Sequence, residues 1–233
     1  MPNVYRLRRL VTVCILAVII IGALSVNIHV PATPEANTNN TRSSSNAMLA
    51  KEALNQLSVK GRAPKTGYSR AQFGDGWTVV KGCDTRNIIL HRDMTDVQVD
   101  QKCEVISGIL NDPYTGKIIN FKRGSNTSAD VQIDHVVAIS DAWQKGAQQL
   151  SKDQRIALAN DPLELLAVDG PANQQKSDGD AATWLPPYKP FRCQYVARQI
   201  AVKQKYSLWV TQAEKDAILN ILSTCPDQAL PSK

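Results

Sequence analysis

Arg6, Arg8 and Arg9 stand ahead of residues 10–26, a run without a single charged side chain. A basic flank followed by an apolar stretch is the pattern of a secretory signal peptide or an uncleaved signal-anchor with its basic side inside. The run lies at the short end of a membrane span, about 17–25 residues. Ala23-Leu24-Ser25 offers a cleavage site, so residues 1–30 read as either device. Cys14 sits within the run and not after it, which argues against a lipoprotein anchor. Both devices place the rest of the chain outside the cytosol, secreted or tethered to the outer face of the membrane, and the rest must fold in an oxidising setting.

That setting decides what the cysteines do. Beyond Cys14 there are four, Cys83, Cys103, Cys193 and Cys225, and no two have C-x-x-C spacing. An even number of such cysteines reads as two structural disulfides. Order along the chain suggests Cys83–Cys103 and Cys193–Cys225, with the crossed and nested pairings left open. Each bridge contributes roughly 2–4 kcal/mol by restricting the unfolded chain.

Residues 31–46 lack Leu, Ile, Val and aromatic side chains and read as a disordered tether. The folded domain is expected over 47–225, with 226–233 a flexible tail. A short amphipathic helix is expected over 47–58. Residues 59–68 form a basic loop with Lys60, Arg62 and Lys65. Extended segments are expected over 77–80, 87–90, 117–123, 131–139 and 163–168. Helices are expected over 141–150, 151–159, 171–176, 190–206 and 211–224. Ser151 and Thr211 are N-caps, with Gln154 and Glu214 at the third helical position. The class is α+β, a small β core with flanking helices and a helical C-terminal pair.

The formal charge is +6, half of it from the three N-terminal arginines, so the domain is mildly basic and compatible with a polyanion. Nucleotide-cradling glycine loops are absent, and the nearest approach to a nucleophile elbow, Gly67-Tyr68-Ser69-Arg70-Ala71, lacks the second glycine. Three histidines, His29, His91 and His135, exclude a multi-histidine metal site. His135 stands out because Asp134 precedes it in Val131-Gln-Ile-Asp-His-Val-Val. Neighbours on a strand face opposite ways, but at a strand end both can turn to one site. About thirty residues on comes Leu166, then Asn173 and Lys176, three apart and so on one helix face.

Asp134-His135-Val-Val followed by Leu166, Asn173 and Lys176 resembles the HNH endonucleases, the ββα-metal nuclease group. The resemblance is closest over 132–180, and 67–225 is similar to an exported bacterial branch. It implies a ββα-metal core of β-hairpin, loop, short strand and helix, with His135 as general base and Asp134 and Asn173 as metal ligands. Lys176 would contact phosphate or help hold the site. Related nucleases carry Asn at the position of Glu164 to orient the histidine. A Glu164 facing His135 would raise its pKa, and one facing solvent would leave the orienting to another group. Lys117, Lys122 and Arg123 on an upstream hairpin are candidate phosphate contacts.

Phosphodiester hydrolysis suits this set. A neutral histidine activates water near pH 7, and a hard divalent cation on carboxylate and amide oxygens stabilises developing charge. Sparse oxygen ligation favours Mg²⁺ or Mn²⁺, with Zn²⁺ or Ca²⁺ as alternatives. The expected function is an exported, metal-dependent endonuclease acting on DNA, or on RNA as well, with little sequence specificity. A membrane contact is expected only through an uncleaved N-terminal segment, and no protein partner. The rivals are a catalytically silent nucleic-acid or cell-wall binding module, and an exported hydrolase of another substrate. Asp84, Arg86, Arg92 and Asp93 are expected to form an ion-pair scaffold, Trp143, Trp184 and Trp209 to be core anchors, and Arg192, Arg198, Lys203 and Lys205 to be a solvated helix face.

Overall fold

The computed structural model describes residues 48–231. The expectations for residues 1–46, signal or anchor and tether, lie outside the described residues. Among the described residues no helix is long and apolar enough to cross a membrane.

The first helix among the described residues, α1 (Ala50–Gln56), buries Ala50, Ala53 and Leu54 at helical spacing. A two-stranded ribbon, β1 (Val79–Val80) and β2 (Cys83–Asp84), leads into α2 (Thr85–Asp93). Residues 87–90 are therefore helical and not extended, despite Ile88 and Ile89. The reason is local: Asp84 caps the helix by accepting from the Asn87 backbone N–H at 2.7 Å and from its side-chain amide. A capped turn outweighs the weak strand preference of two β-branched residues.

An antiparallel meander follows, β3 (Met94–Val99), β4 (Val105–Asn111) and β5 (Ile118–Lys122). Of these only β5 is foreseen in the sequence, because β3 is an edge strand with mostly exposed polar side chains. The β4–β5 turn is built on Asp112, which accepts from Thr115 N at 2.7 Å and Tyr114 N at 3.3 Å. It closes at Gly116, where φ is +74° and a Cβ would lie 2.7 Å from the Tyr188 ring. Asp112 Oδ1 also accepts from Asp169 N at 2.9 Å, tying this hairpin to the strand that carries the site helix.

That strand is β7 (Leu165–Asp169), antiparallel to β6 (Val131–His135) with Val131 opposite Asp169 and His135 opposite Leu165. β6 ends at residue 135 and not 139, since Ile139 already opens α3 (Ile139–Gln144). After α3 and a 3₁₀ turn comes α4 (Lys152–Ala159), with the Ser151/Gln154 capping box formed in full. β7 runs straight into α5 (Gly170–Lys176), whose N-cap Asp169 accepts from Ala172 N at 2.8 Å. Gly170 is obligatory there, because a Cβ would come within 2.1 Å of the Ala129 carbonyl. The C-terminal pair is α6 (Arg192–Lys205) and α7 (Gln212–Leu222).

β6 and β7 are buried on both faces. Val131, Ile133, Leu165 and Ala167 pack with Ile89, Leu90, Leu110 and Phe121 from the meander side. Leu166 and Val168 join the larger core of α1, α3, α6 and α7. The even positions of β6, Gln132 and Asp134, therefore point towards α5 and Tyr114, while Val131 and Ile133 fill the meander core and His135, at the strand end, leaves it.

The structure joins Cys83 to Cys103 and Cys193 to Cys225. Residues 228–230 do not trail free. Ala50 N donates to Gln228 O at 2.8 Å and Leu230 N to Met48 O at 3.0 Å, so the tail pairs with the start of α1. Lys203 departs from the expected solvated face. It is fully buried with Lys145 among Asp141, Asp180 and Glu214, and Arg62 pairs with Asp141 and Asp180 from the rim. The sequence hides this cluster because its members are spread over residues 62–214. Arg92 and Asp93 are the expected scaffold: Arg92 reaches the carbonyls of Pro162 and Leu165, and Asp93 accepts from Ala167 N.

Candidate active site

Asp134 is buried, and both of its oxygens are engaged. Oδ1 accepts from Lys176 Nζ at 2.9 Å, and Oδ2 accepts from the Tyr114 hydroxyl. Burial raises the Asp134 pKa. Lys176 and the Tyr114 bond oppose this without reversing it. Lys176 comes from the last turn of α5, where its three donors also reach the His135 carbonyl at 2.7 Å. One ammonium thus fixes both the acid side chain and the backbone of the histidine beside it.

The His135 ring has its Nε2 3.0 Å from the Ala159 carbonyl oxygen. A carbonyl only accepts, so Nε2 carries the proton and Nδ1 keeps its lone pair. Trp77 stacks on the ring, 5.7 Å between centroids and 9° from parallel. Burial takes the His135 pKa down to about 3, the Ala159 bond opposes this, and the charges of Arg70 and Lys176 add to it. The imidazole is neutral at pH 7, the state a proton acceptor needs.

Asn173 lies on α5, and its Nδ2 donates to Gln132 Oε1 at 2.9 Å. Gln132 Nε2 in turn faces the Ala129 carbonyl at 3.4 Å, which sets the sense of both amides. The amide oxygen of Asn173 is left for a ligand. Asp134, His135 and Asn173 line one cavity of about 390 Å³, together with Ser140 and Asp178 and with Lys65, Tyr68 and Arg70 from the N-terminal segment.

Of the expected site residues, Asp134, His135 and Asn173 therefore meet, and Lys176 lies directly beneath them. Being fully buried, Lys176 has no exposed face for a phosphate. Lys117 and Lys122 are exposed but do not line the cavity. Arg123 turns inward, donating to Val105 O at 2.8 Å and to Asn87 Oδ1 at 2.5 Å. Glu164 faces neither His135 nor solvent. It is fully buried, accepts from Val137 N at 3.2 Å, and burial holds its pKa well above the usual carboxylate range. The group on the His135 ring is the Ala159 carbonyl, a backbone atom that no motif displays. Lys65 was visible only as part of the basic loop over 59–68, and Arg70 only within the incomplete elbow pattern over 67–71. Tyr114 and Trp77 carried no signal, because their roles depend on strands far apart in the chain.

Does the donor set fit a divalent cation? Among the described residues no group of three or more His, Cys, Asp or Glu converges, so nitrogen- and sulfur-rich ligation is not on offer. One carboxylate with lone pairs beyond those it shares with Lys176 and Tyr114, plus one oriented amide oxygen, fits a hard cation that keeps several waters. Asp134 and Asn173 are the residues that would hold it.

A family model described as the C-terminal domain of GmrSD restriction endonucleases matches residues 84–221. An uncharacterized secreted protein of Arthroderma benhamiae is 40% identical over 181 residues, 77% of this chain and 86% of that protein. That relative is fungal, so the comparison does not carry the bacterial part of the resemblance. No solved structure matches the chain.

Proposed function

Because the chain belongs to the family of GmrSD restriction endonuclease C-terminal domains, an HNH-like nuclease family with an α+β fold, we propose that it is an exported endonuclease. It hydrolyses phosphodiester bonds of DNA, and of RNA as a second substrate, in a metal-dependent reaction with low sequence specificity. The strand–strand–helix unit of β6, β7 and α5 is its ββα-metal core. The secreted relative and the N-terminal basic–apolar pattern support the extracellular location.

The observation that carries this reading is a buried, neutral His135 facing the same cavity as Asp134 and Asn173. Nδ1, left with its lone pair by the Nε2–Ala159 bond, takes the proton from the attacking water. Lys176 opposes the protonation that burial favours at Asp134 and aims its carboxylate, and Gln132 keeps the Asn173 oxygen turned to the cavity. Lys65 and Arg70 draw the phosphate in. Asp134 and Asn173 would hold a cation, Mg²⁺ or Mn²⁺ before Zn²⁺ or Ca²⁺, which would supply stabilisation of the developing negative charge.

A second reading has one observation in its favour. Both Asp134 oxygens are already satisfied by protein donors, as suits a catalytically silent nucleic-acid binding module. Plasmid digestion across a divalent-metal panel, with and without EDTA, separates the two. The nuclease nicks with metal and stops with EDTA, whereas a silent module retards the plasmid on a gel and never nicks it.

A further inference from the structure

His135 belongs to two cavities. Besides the one it shares with Asp134 and Asn173, it lines a second of about 180 Å³ with Arg70, Phe73, Trp77, Ile139 and Asn160. The chemistry of this second space differs. It has no carboxylate in its wall, and the Asn160 amide is spent, its Oδ1 accepting from Thr78 N at 2.9 Å and its Nδ2 donating to Ile156 O at 3.0 Å. It offers a hard cation no carboxylate. What it does offer is an aromatic and apolar wall with one guanidinium at its mouth. Arg62, Arg92 and Arg155 are all tied to protein acceptors. Arg70 has no hydrogen-bond or ion-pair partner among the described residues, and it is exposed and lines both cavities.

The geometry points to a nucleotide subsite: the second cavity takes the base and sugar of the nucleotide next to the attacked phosphodiester, with Trp77 against the base and Arg70 on the phosphate between the cavities. This rests on the nuclease reading above. A polynucleotide attacked beside His135 must continue on both sides of the scissile bond, and only one side is occupied by Asp134 and Asn173. A flat apolar group next to an anion is what an aromatic wall beside an unpaired guanidinium recognises. Since no free side-chain amide or carboxylate in the wall can read a base edge, the subsite distinguishes a base from no base, not one base from another.

Two measurements test this. In the first, the full-length protein cuts end-labelled single-stranded oligonucleotides carrying one abasic residue at successive positions, and products are resolved to the nucleotide. Cleavage of one bond flanking the abasic residue falls about tenfold, within the range for loss of one base–aromatic stack, while exchange among the four bases changes it by less than about threefold. In Trp77→Ala the intact and abasic oligonucleotides are cut alike. If Trp77 merely steadies the His135 ring, Trp77→Ala slows both substrates equally and leaves the tenfold gap, and the proposal fails. In the second, thymidine monophosphate and deoxyribose 5-phosphate are titrated against the protein without turnover. The nucleotide binds more tightly than the sugar phosphate, Trp77→Ala removes the difference, and Arg70→Ala weakens both. Equal binding of the two probes to the parent protein overturns the subsite. A protein that discriminates the probes yet cuts no oligonucleotide overturns the nuclease reading instead.

Discussion

Lys176 Nζ lies 2.9 Å from Asp134 Oδ1, with the lysine side chain 0% and the aspartate side chain 6% exposed. A pair this enclosed cannot trade partners with solvent, and the lysine's remaining bond goes to the backbone of His135. Removing the cation strands a carboxylate in a dry site, where uncompensated charge costs about 3–5 kcal/mol. Lys176→Met is expected to lose stability on that scale in urea unfolding, together with activity. Where the variant still folds, the salt dependence of its DNA binding keeps the parental slope. A slope shallower by about one unit would mean that Lys176 touches phosphate after all.

The His135 ring is held by Ala159 and Trp77, neither of which binds the cation, so its loss is separable from binding. His135→Ala is expected to reduce plasmid nicking by at least about 10²-fold, the low end of general-base catalysis, while DNA binding at low salt is little changed. His91, exposed in the last turn of α2, is the control, and His91→Ala nicks at the parental rate. Parental nicking by His135→Ala would reduce the buried histidine to a core hydrogen bond.

Much of this arrangement was legible in the sequence because it is local. The Asp134-His135 dipeptide, the Asn173/Lys176 spacing and the Ser151 capping box all act within a few residues of themselves. What escaped depends on elements distant in sequence. Tyr114 reaches Asp134 only because the Asp112 turn is bonded to Asp169, and Ala159 reaches His135 only because α4 packs beside the end of β6. Lys203 read as a surface lysine because its acidic partners, Asp141 and Glu214, come from α3 and α7. The helix at 87–90 was missed for the opposite reason, a cap at Asp84 overriding two isoleucines.

Gln132 shows how a local signal can be present and still go unread. It is two residues before Asp134 and so on the same face of β6, and it accepts the Asn173 amide hydrogen at 2.9 Å. Removing such a support behind a metal ligand typically costs 10–100-fold in metal affinity. Gln132→Ala should weaken metal binding by at least about tenfold in calorimetric titration, with little change in melting temperature. Gln132→Glu keeps the acceptor and should stay near the parent. Equal metal affinity in all three proteins would detach Asn173 from the cation.

The buried cluster around Lys145 sets the acid limit of the fold. Burial alone would raise the Asp180 pKa, but the Lys145 hydrogen bond and charge, with Arg62 behind them, take it below its ordinary value. A carboxylate depressed in the folded state binds fewer protons there than in the unfolded chain. Its contribution is complete above the unfolded pKa of about 3.9 and is lost as pH falls through the lower folded value. Asp180→Asn leaves Lys145 with Asp141 and Glu214 at 2.8 and 2.7 Å and removes one titrating proton from the balance. The variant should be less stable at pH 7. Below pH 4 its stability should fall less steeply with acidification, by up to about 1.4 kcal/mol per pH unit, the limit for one proton. Urea unfolding at pH steps between 2 and 5 measures both slopes. Parallel slopes for parent and variant would show that Asp180 titrates alike in the folded and unfolded chain, and that the cluster contributes nothing to acid resistance through it.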